Sequence, residues 1–340
     1  MSSRWSLLPA LAIMALVLPV IAAHVPLLEE GGGDLADATV IEEPTKSWVI
    51  YTEYAGPEAV DYYRLSMRQG EDIVLMLGVP AEDGERGFAP DIALMGPGLG
   101  EDDVPADVQR PEGGAVVREG EVPAGLAYEP FTPGVLYEVA EIVVPAPEDG
   151  DYYVAVFDQD GAGQYSLAVG RRETFTVAEW LTVPLYLLQI YRWEGQAWWA
   201  IALPGAATFL AGLGLMAGDA RRRSRRPDVL WLTVTVSGLL MLASGVTVGY
   251  QMVSKLLQVG ELDPATALTA VFVIAPLLLG MAALRVARRT AGPSGMGLRS
   301  RGVLLLIGLL GLLSWSGWLL GPTLAILAAV VPWGWLDRRR

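Results

Sequence analysis

The stretch at residues 163–170 reads GQYSLAVG and has the alternation of a β-strand. Because side chains of an extended chain point to opposite faces in turn, its large apolar residues share one face: Tyr165, Leu167 and Val169. The small or polar residues between them, such as Ser166 and Ala168, share the other face. This pattern predicts a strand with one buried side.

Six further segments between residues 45 and 170 have the same β-rich composition, separated by Gly, Pro and Asp. They are residues 47–55, 61–67, 72–79, 91–96, 136–144 and 151–158. The glycine-rich connection between the last two predicted strands, residues 158–163, suits a hairpin. Short strands at this spacing predict an all-β sandwich over residues 47–175.

Four of these segments carry a resemblance to a known family: AVDYYRLSMRQGEDIVLML, DIALMGPG, PEDGDYYVAVFD and GAGQYSLAVG. Their succession resembles the bacterial and archaeal pre-peptidase C-terminal domain and related jelly-roll modules of secreted proteins. The resemblance covers about residues 47–170. It implies a jelly-roll-like sandwich of a kind that is mostly a non-catalytic accessory or binding domain.

The charge of the chain is divided sharply between its two parts. Residues 24–180 contain 32 Asp and Glu against 8 Lys and Arg, whereas the rest contains 6 acids against 16 bases. An acidic surface repels nucleic acid, so we predict no nucleic-acid partner. The absence of cysteine excludes disulfides, thiolate zinc sites and cysteine nucleophiles.

The N-terminus has the features of an export signal. A short basic lead, Met1–Arg4, precedes a nearly uninterrupted apolar run, Trp5–Val20, and then small residues. We predict a signal peptide at residues 1–23, either cleaved or retained as an anchor, followed by an acidic segment at residues 24–46. Either outcome sends residue 24 onward across the membrane.

His24 is the only histidine of the chain. A cut just before it would make it an N-terminal residue able to chelate copper, but such a site normally needs a further imidazole. We therefore expect His24 to be a solvated residue at a chain end. A single histidine also excludes the H-E-x-x-H and three-histidine zinc sites.

Asp158 and Asp160 begin a D-x-D-G sequence that resembles the start of a calcium loop. Ala162 and Val169 stand where an EF-hand needs an oxygen ligand and a bidentate glutamate. The alternative is that the aspartates cap a turn through the backbone. Calcium at Asp158 and Asp160 is the only metal site the sequence suggests, and we predict no cofactor.

Two long insertions interrupt the strand pattern, residues 80–90 and 97–134. Tyr128, Phe131 and Tyr137 lie in or beside the second insertion, next to prolines. They could present an aromatic binding surface to a glycan or a partner protein. The alternative is that they bury their rings and fix the loop to the sandwich.

From residue 176 the composition becomes that of a membrane protein. We predict an interfacial aromatic segment at residues 176–196 and a transmembrane domain at residues 197–336 with five spans, the last two forming a hairpin that breaks at Gly321-Pro322. Tryptophans at both ends of the interfacial segment suit the membrane interface: Trp180, Trp193, Trp198 and Trp199. Arginine clusters at residues 221–226 and 285–289 predict a cytoplasmic tail at residues 337–340.

The predicted spans contain no ionisable residue, which disfavours coupled transport and intramembrane catalysis. Two G-x-x-x-G pairs allow close helix packing: Gly214 with Gly218, and Gly245 with Gly249. They pack either within the chain or against the helices of a partner.

Together these features predict a non-enzymatic, multi-pass protein of a prokaryotic plasma membrane, with its β-sandwich outside the cytoplasm. We expect the lipid bilayer and a membrane or extracytoplasmic protein as partners, the sandwich binding or scaffolding a protein complex or an envelope polymer. The alternative is a transporter or export component with the sandwich as its accessory domain.

Overall fold

The computed structural model describes residues 24–224, 227–261, 264–290 and 296–331. The predicted signal peptide and cytoplasmic tail lie outside these residues. The chain divides into two units, which we call the β unit and the helical unit. The β unit comprises Ala22–Gln196 with Lys255–Glu261, and the helical unit includes Ala197–Ser254 and Leu262–Arg340.

The β unit contains eleven strands among the described residues. They are β1 (Val25–Leu27), β2 (Thr39–Ile41), β3 (Trp48–Tyr54), β4 (Asp61–Met67), β5 (Asp72–Pro80), β6 (Asp91–Gly96), β7 (Gly114–Arg118), β8 (Ala127–Glu129), β9 (Gly134–Pro145), β10 (Gly150–Phe157) and β11 (Gly163–Val169). Each of the seven predicted strands is present within one or two residues of its predicted ends. The four others, β1, β2, β7 and β8, are only three to five residues long and were not predicted.

The strands form two sheets. One has the order β1-β3-β11-β5-β9-β8 and the other β2-β4-β10-β6-β7. All neighbours are antiparallel except β1 with β3 and β2 with β4. Side chains from both sheets fill one core, including Ile50 and Leu167 from the first sheet and Leu65 and Leu94 from the second. The β unit is therefore a β-sandwich.

The prediction that residues 163–170 have one buried side is wrong. Ser166 and Ala168, on the face away from the core, are buried as well. The outer face of the first sheet is contacted by a helix of the same unit, Val177–Trp193, which packs on β1 and β3. The outer face of the second sheet carries its own apolar cluster, which includes Tyr62, Val108 and Ala115.

Two helices belong to the β unit, α1 (Ala81–Glu85) and α2 (Val177–Trp193). A capping box starts α2. The Glu179 N–H donates to the Thr176 hydroxyl at 3.2 Å, and the Thr176 N–H donates to the Glu179 carboxylate at 2.7 Å. The predicted interfacial segment is thus a regular helix with a well-defined start.

The helical unit contains α3 (Trp198–Arg222), α4 (Val229–Val259), α5 (Thr266–Thr290), α6 (Leu298–Leu313) and α7 (Leu320–Val330). Among the described residues, three helices are long and apolar enough to cross a membrane: α3, α4 and α5. The first three predicted spans coincide with these helices. However, α4 continues to Val259, so Lys255 is helical instead of lying in the predicted external loop.

The last apolar stretch is broken, as predicted, but at another place. The helix ends after Leu313 and restarts at Leu320, so Gly321 and Pro322 lie in the first turn of α7. Proline is tolerated there because the first N–H groups of a helix have no partner within it. Helix α6 has 16 residues and α7 has 11, each below the roughly 20 that a span needs.

Candidate binding groove of the β unit

Two adjoining cavities of the β unit form a concave surface. Their volumes are about 480 and about 280 Å³. Both are lined by Glu82, Glu194 and Gly195, so they are parts of one depression. We call it the α1–α2 groove, because α1 and the C-terminal end of α2 line it.

Local sequence explains why these elements meet. Pro80 ends β5 and precedes α1, whose five residues include acidic residues in the first turn. Gly195 follows α2 with a φ of +82°, a left-handed conformation that glycine adopts without a side-chain clash. This glycine turns the chain at the end of α2 and leaves the groove open beside Glu82.

The wall formed by α1 is charged, and ion pairs link its side chains. Arg86 forms ion pairs with Glu82, at 3.1 Å, and with Asp83. Asp83 is buried, and its other carboxylate oxygen accepts the Gln164 N–H at 3.1 Å. Glu53 and Glu85, which also line the groove, are exposed and form no ion pair with any described residue. The groove therefore presents the carboxylates of Glu53 and Glu85 beside the ion pairs of Arg86, and Arg192 also lines it.

At the C-terminal end of α2 lies a buried ion pair. Lys255 Nζ is 2.8 Å from Glu194 Oε2, and the two side chains are only 7% and 4% exposed. The Val135 N–H and the Gln196 side-chain amide also donate to Glu194, at 3.1 and 3.0 Å. Burial raises the pKa of Glu194 above its ordinary value, although Lys255 works in the opposite direction.

A second lysine–glutamate pair lies at the N-terminal end of α2. Lys46 Nζ is 2.5 Å from Glu179 Oε1, and the side chains are 6% and 22% exposed. Lys46 also lies 4.2 Å from the centre of the Trp48 ring. Burial works to raise the pKa of Glu179, but the hydrogen bonds from Lys46 and Thr176 and the charge of Lys46 together outweigh it and lower that pKa.

Lys46 and Lys255 are the only lysines in the chain. Each therefore forms an ion pair with a glutamate at one end of the same helix. The sequence already shows that these two residues are unusual, because every other basic residue except His24 is arginine. Pairing across 133 positions could not be predicted from the sequence, so neither lysine was a candidate site residue.

His24 is not the solvated chain end that we expected. It directly precedes β1, is half-buried, and its Nδ1 lies 2.6 Å from the Ser47 hydroxyl oxygen. Parallel pairing of β1 with β3 places the two residues together. Ser47 is buried, and the adjoining cavity lined by His24 and Tyr51 has a volume of only about 10 Å³, room for one water. This pair has no space for a substrate.

Asp158 and Asp160 form a turn. Asp158 Oδ1 accepts the N–H groups of Asp160, at 2.9 Å, and Gly161, at 2.7 Å. This is the turn-capping alternative for the D-x-D-G sequence. Among the described residues no group of three or more His, Asp or Glu side chains could hold a metal ion.

The proposed aromatic surface is not formed. Tyr128 and Phe131 are buried, and Phe131 lies 6.0 Å from Phe175 and 6.4 Å from Trp180, measured between ring centres. Tyr137 covers Gly84 of α1 so closely that a Cβ there would lie 2.3 Å from its ring. The alternative holds instead, because these rings fix the second insertion and α1 to the sandwich.

The four tryptophans predicted for the interface divide into two pairs. Trp180 packs on Phe131 and Phe175, and the Trp193 indole N–H donates to two strand carbonyls, Thr52 at 3.1 Å and Tyr165 at 3.2 Å. Both of these side chains pack within the β unit. Trp198 and Trp199 begin α3 and are 59% and 71% exposed, as interfacial anchors require.

The two G-x-x-x-G pairs also differ. A Cβ on Gly245 would lie 3.0 Å from Leu277 of α5, and one on Gly249 would lie 3.3 Å from Val273. Close packing of α4 with α5 therefore uses this pair. A Cβ on Gly214 or Gly218 of α3 would meet nothing within 4 Å. The first pair makes no close contact with the described residues.

No protein-family model matches this chain, and no curated protein is similar to it. Among solved structures it is similar to a surface-associated copper-binding protein, CorA of Methylomicrobium album BG8, described as important in copper acquisition. The identity is 12%, the TM-score is 0.22, and the match covers 39% of this chain and 96% of that chain. A likeness at this TM-score supports no conclusion about this protein.

Proposed function

We propose that this chain is a non-enzymatic, multi-pass protein of a prokaryotic plasma membrane that binds a partner protein through the α1–α2 groove of its extracytoplasmic β unit. The observation that carries the proposal is the groove, in which Glu53 and Glu85 are exposed beside a fixed wall of ion pairs. Carboxylates in this setting favour a basic segment of a partner.

The proposed sidedness follows from the arginine clusters. Arg288 Nε of α5 lies 3.8 Å from Asp219 Oδ2 of α3, so the arginine-rich ends of these two helices are at the same level. Lys and Arg are enriched on the cytoplasmic side of membrane proteins. The β unit would then be extracytoplasmic. The chain could cross five times, or three times with a hairpin that leaves the bilayer on the side where it entered. Both topologies place the C-terminus in the cytoplasm.

Helix α2 is proposed to lie at the outer membrane interface. The side of the helix that does not contact the sheet would face the membrane. Its exposed residues include Val177, Leu185 and Leu188. Only four residues separate α2 from α3, which begins with the exposed Trp198 and Trp199. An apolar stripe joined so closely to a membrane span suits the headgroup region.

The strand order supports a jelly roll. Without the short strands β1, β2 and β8, the sheets read β3-β11-β5-β9 and β4-β10-β6-β7. Eight antiparallel strands in two sheets with these crossings suit the jelly-roll class. This agrees with the resemblance to pre-peptidase C-terminal domains, a class of mostly accessory and binding modules, although fold alone assigns no function.

The test is mild-detergent purification of the full-length protein with quantification of what co-migrates. Glu53→Arg changes the groove, and Glu58→Arg, at an exposed position that does not line it, makes the same change in net charge. We expect a partner that accompanies the wild type and Glu58→Arg, and that is lost with Glu53→Arg and at high salt. An identical set of proteins with the wild type and both variants would contradict the proposal.

A further inference from the structure

We propose that residues 298–331 form a re-entrant hairpin, which enters and leaves the bilayer on one side and closes the centre of the helical unit with its unwound tip. The tip is Ser314–Leu319, between α6 and α7. At the helical rise α6 is about 24 Å long and α7 about 17 Å, against about 30 Å of hydrocarbon. Neither helix, as described, reaches across.

The two feet of the hairpin, the start of α6 at Leu298 and the end of α7 at Val330, are at the same level. Arg301, in the first turn of α6, donates through Nη1 to the carbonyl of Ala329 at 2.7 Å and to that of Val331 at 2.9 Å. These carbonyls belong to the end of α7, where a helix leaves acceptors unpaired. Between the feet and the tip, the helices approach closely, because a Cβ on Gly308 would lie 2.4 Å from Ile326.

The tip contacts the middle of α4. The Gly317 N–H donates to the Ser244 hydroxyl at 2.6 Å, and Ser244 is the central residue of the 31-residue α4. A Cβ on Gly317 would lie 3.0 Å from the Met241 nitrogen. If α6 and α7 each crossed the bilayer, their connection would lie level with one end of α4. The residues of α4 from Lys255 onward belong to the β unit, and Ser244 lies about 16 Å before them at the helical rise. A tip at Ser244 therefore indicates that the hairpin turns back inside the bilayer.

Non-helical backbone at that depth is tolerated only where protein or a water-filled cavity surrounds it. Here hydroxyl groups form hydrogen bonds with the tip and with the helix ends beside it. Ser314 donates to the Leu310 carbonyl at 3.0 Å and lies 2.8 Å from the Ser316 hydroxyl, and Ser237 donates to the Gly321 carbonyl at 2.7 Å. The tip is thus satisfied by serines of the hairpin and of α4.

Aromatic side chains of the tip fill the space between the three spans. Trp315 stacks on Phe272 of α5 at 5.0 Å between ring centres. Trp318 lies against α3, where a Cβ on Gly205 would be 3.1 Å from its ring. Trp315, Trp318 and Leu319 have φ angles of +49°, +50° and +64°, a left-handed conformation that is unfavourable for bulky residues. Such a tip closes the centre of the unit.

Site-directed labelling tests the hairpin, because the chain contains no cysteine. Leu320, beside the tip, is 63% exposed in the protein and gives the reporter variant Leu320→Cys. The controls are Glu261→Cys, between α4 and α5, and Arg222→Cys, at the end of α3. A membrane-impermeant maleimide is applied to right-side-out and to inside-out vesicles, and labelling after SDS denaturation shows that each thiol can react.

We expect each control to be labelled from one side and Leu320→Cys from neither, with full labelling after denaturation. Arg299→Cys, at the foot of α6, should react from the same side as Arg222→Cys. Labelling of Leu320→Cys from the side of Glu261→Cys would mean two crossings and would overturn the hairpin. If both controls and Arg299→Cys exchange sides together while Leu320→Cys stays unlabelled, the sidedness under Proposed function fails and the hairpin stands.

Discussion

Helices α2 and α3 follow one another in the chain and are the same in average hydrophobicity and amphipathicity, yet they have different surroundings. Helix α2 has an ion pair at each end, with Lys46 beside β3 at its start and with Lys255 of α4 at its end. Helix α3 is the least buried candidate span, with 17% of its most apolar window buried against 61% for α4 and 44% for α5. Average hydrophobicity therefore does not distinguish these two helices, whereas the packing of their side chains does.

The largest effect should come from removing the buried cation at the C-terminal end of α2. Lys255→Met leaves the Glu194 carboxylate buried without a counter-ion, so we expect the free energy of unfolding to fall by about 3–5 kcal/mol. Denaturant titration of the full-length protein in detergent measures this fall.

The double variant Lys255→Met/Glu194→Gln removes both charges and should recover most of the loss. A loss below about 1 kcal/mol for Lys255→Met alone would mean that the pair behaves like a surface salt bridge. In that case it would not hold α2.

Glycine substitutions should separate the packed span from the unpacked one. Gly245→Leu places carbon atoms against Leu277 and Val273 and should cost about 1–3 kcal/mol by overpacking. Gly214→Leu on α3 enters open space and should cost nothing, since glycine is the weaker helix former. Thermal unfolding of both variants in one detergent makes the comparison. Equal losses would show that α3 is packed within the chain after all.

At the N-terminal end of α2 we expect a smaller effect, because Glu179 is partly solvated. Lys46→Met removes the ion pair and the contact with Trp48 and should cost about 1 kcal/mol. Arg171→Met is the matched control, since its pair with Glu141 is 62% and 59% exposed and 3.6 Å long. Its loss should be within about 0.5 kcal/mol. If the two losses are equal, Lys46 does not fix α2.

The two glutamates of α2 should respond to acid in opposite directions. The pKa of Glu179 is lowered from 4.5, so its stabilisation is present above 4.5 and is lost as pH falls through the folded value. The pKa of Glu194 is raised from 4.5, so its contribution is complete below 4.5 and is lost as pH rises through the folded value.

Unfolding free energies of the wild type, Glu179→Gln and Glu194→Gln between neutral and acid pH measure this opposition. Subtracting the unfolding free energy of each variant from that of the wild type cancels the contributions of the other carboxylates. On acidification the difference should shrink for Glu179→Gln and grow for Glu194→Gln. Two differences that change in the same direction would mean that the two ends of α2 have similar environments.

The sequence predicted the elements whose signal is local. Strand alternation located β4 and β6 at their observed bounds, and apolar length located the three candidate spans. What it missed depends on distant contacts. The three-residue strand β1 is defined by its pairing with β3, and the pairing of Lys255 with Glu194 joins residues 61 positions apart.

The sequence singled out residues near the candidate groove but none of the carboxylates that line it. Tyr128 and Phe131 attracted attention as large aromatics in a long insertion, but burial is a tertiary property that composition does not report. The groove residues Glu53 and Glu85 are two acids among many in the β unit, so no local pattern marks them. Their position beside α1 and the end of α2 follows from the fold alone.

The central claim, that α3 lies in the bilayer while α2 belongs to the water-exposed unit and touches only the membrane interface, can be tested with a matched pair of positions. Leu185 of α2 and Leu203 of α3 are both leucines and both 59% exposed in the protein. Leu185→Cys and Leu203→Cys are reacted with a membrane-impermeant maleimide in right-side-out vesicles. We predict labelling of Leu185→Cys, because a side chain at headgroup level remains within reach of an aqueous reagent, and protection of Leu203→Cys, which lipid shields. Equal protection would place α2 inside the bilayer, equal labelling would remove α3 from it, and either result would contradict this account.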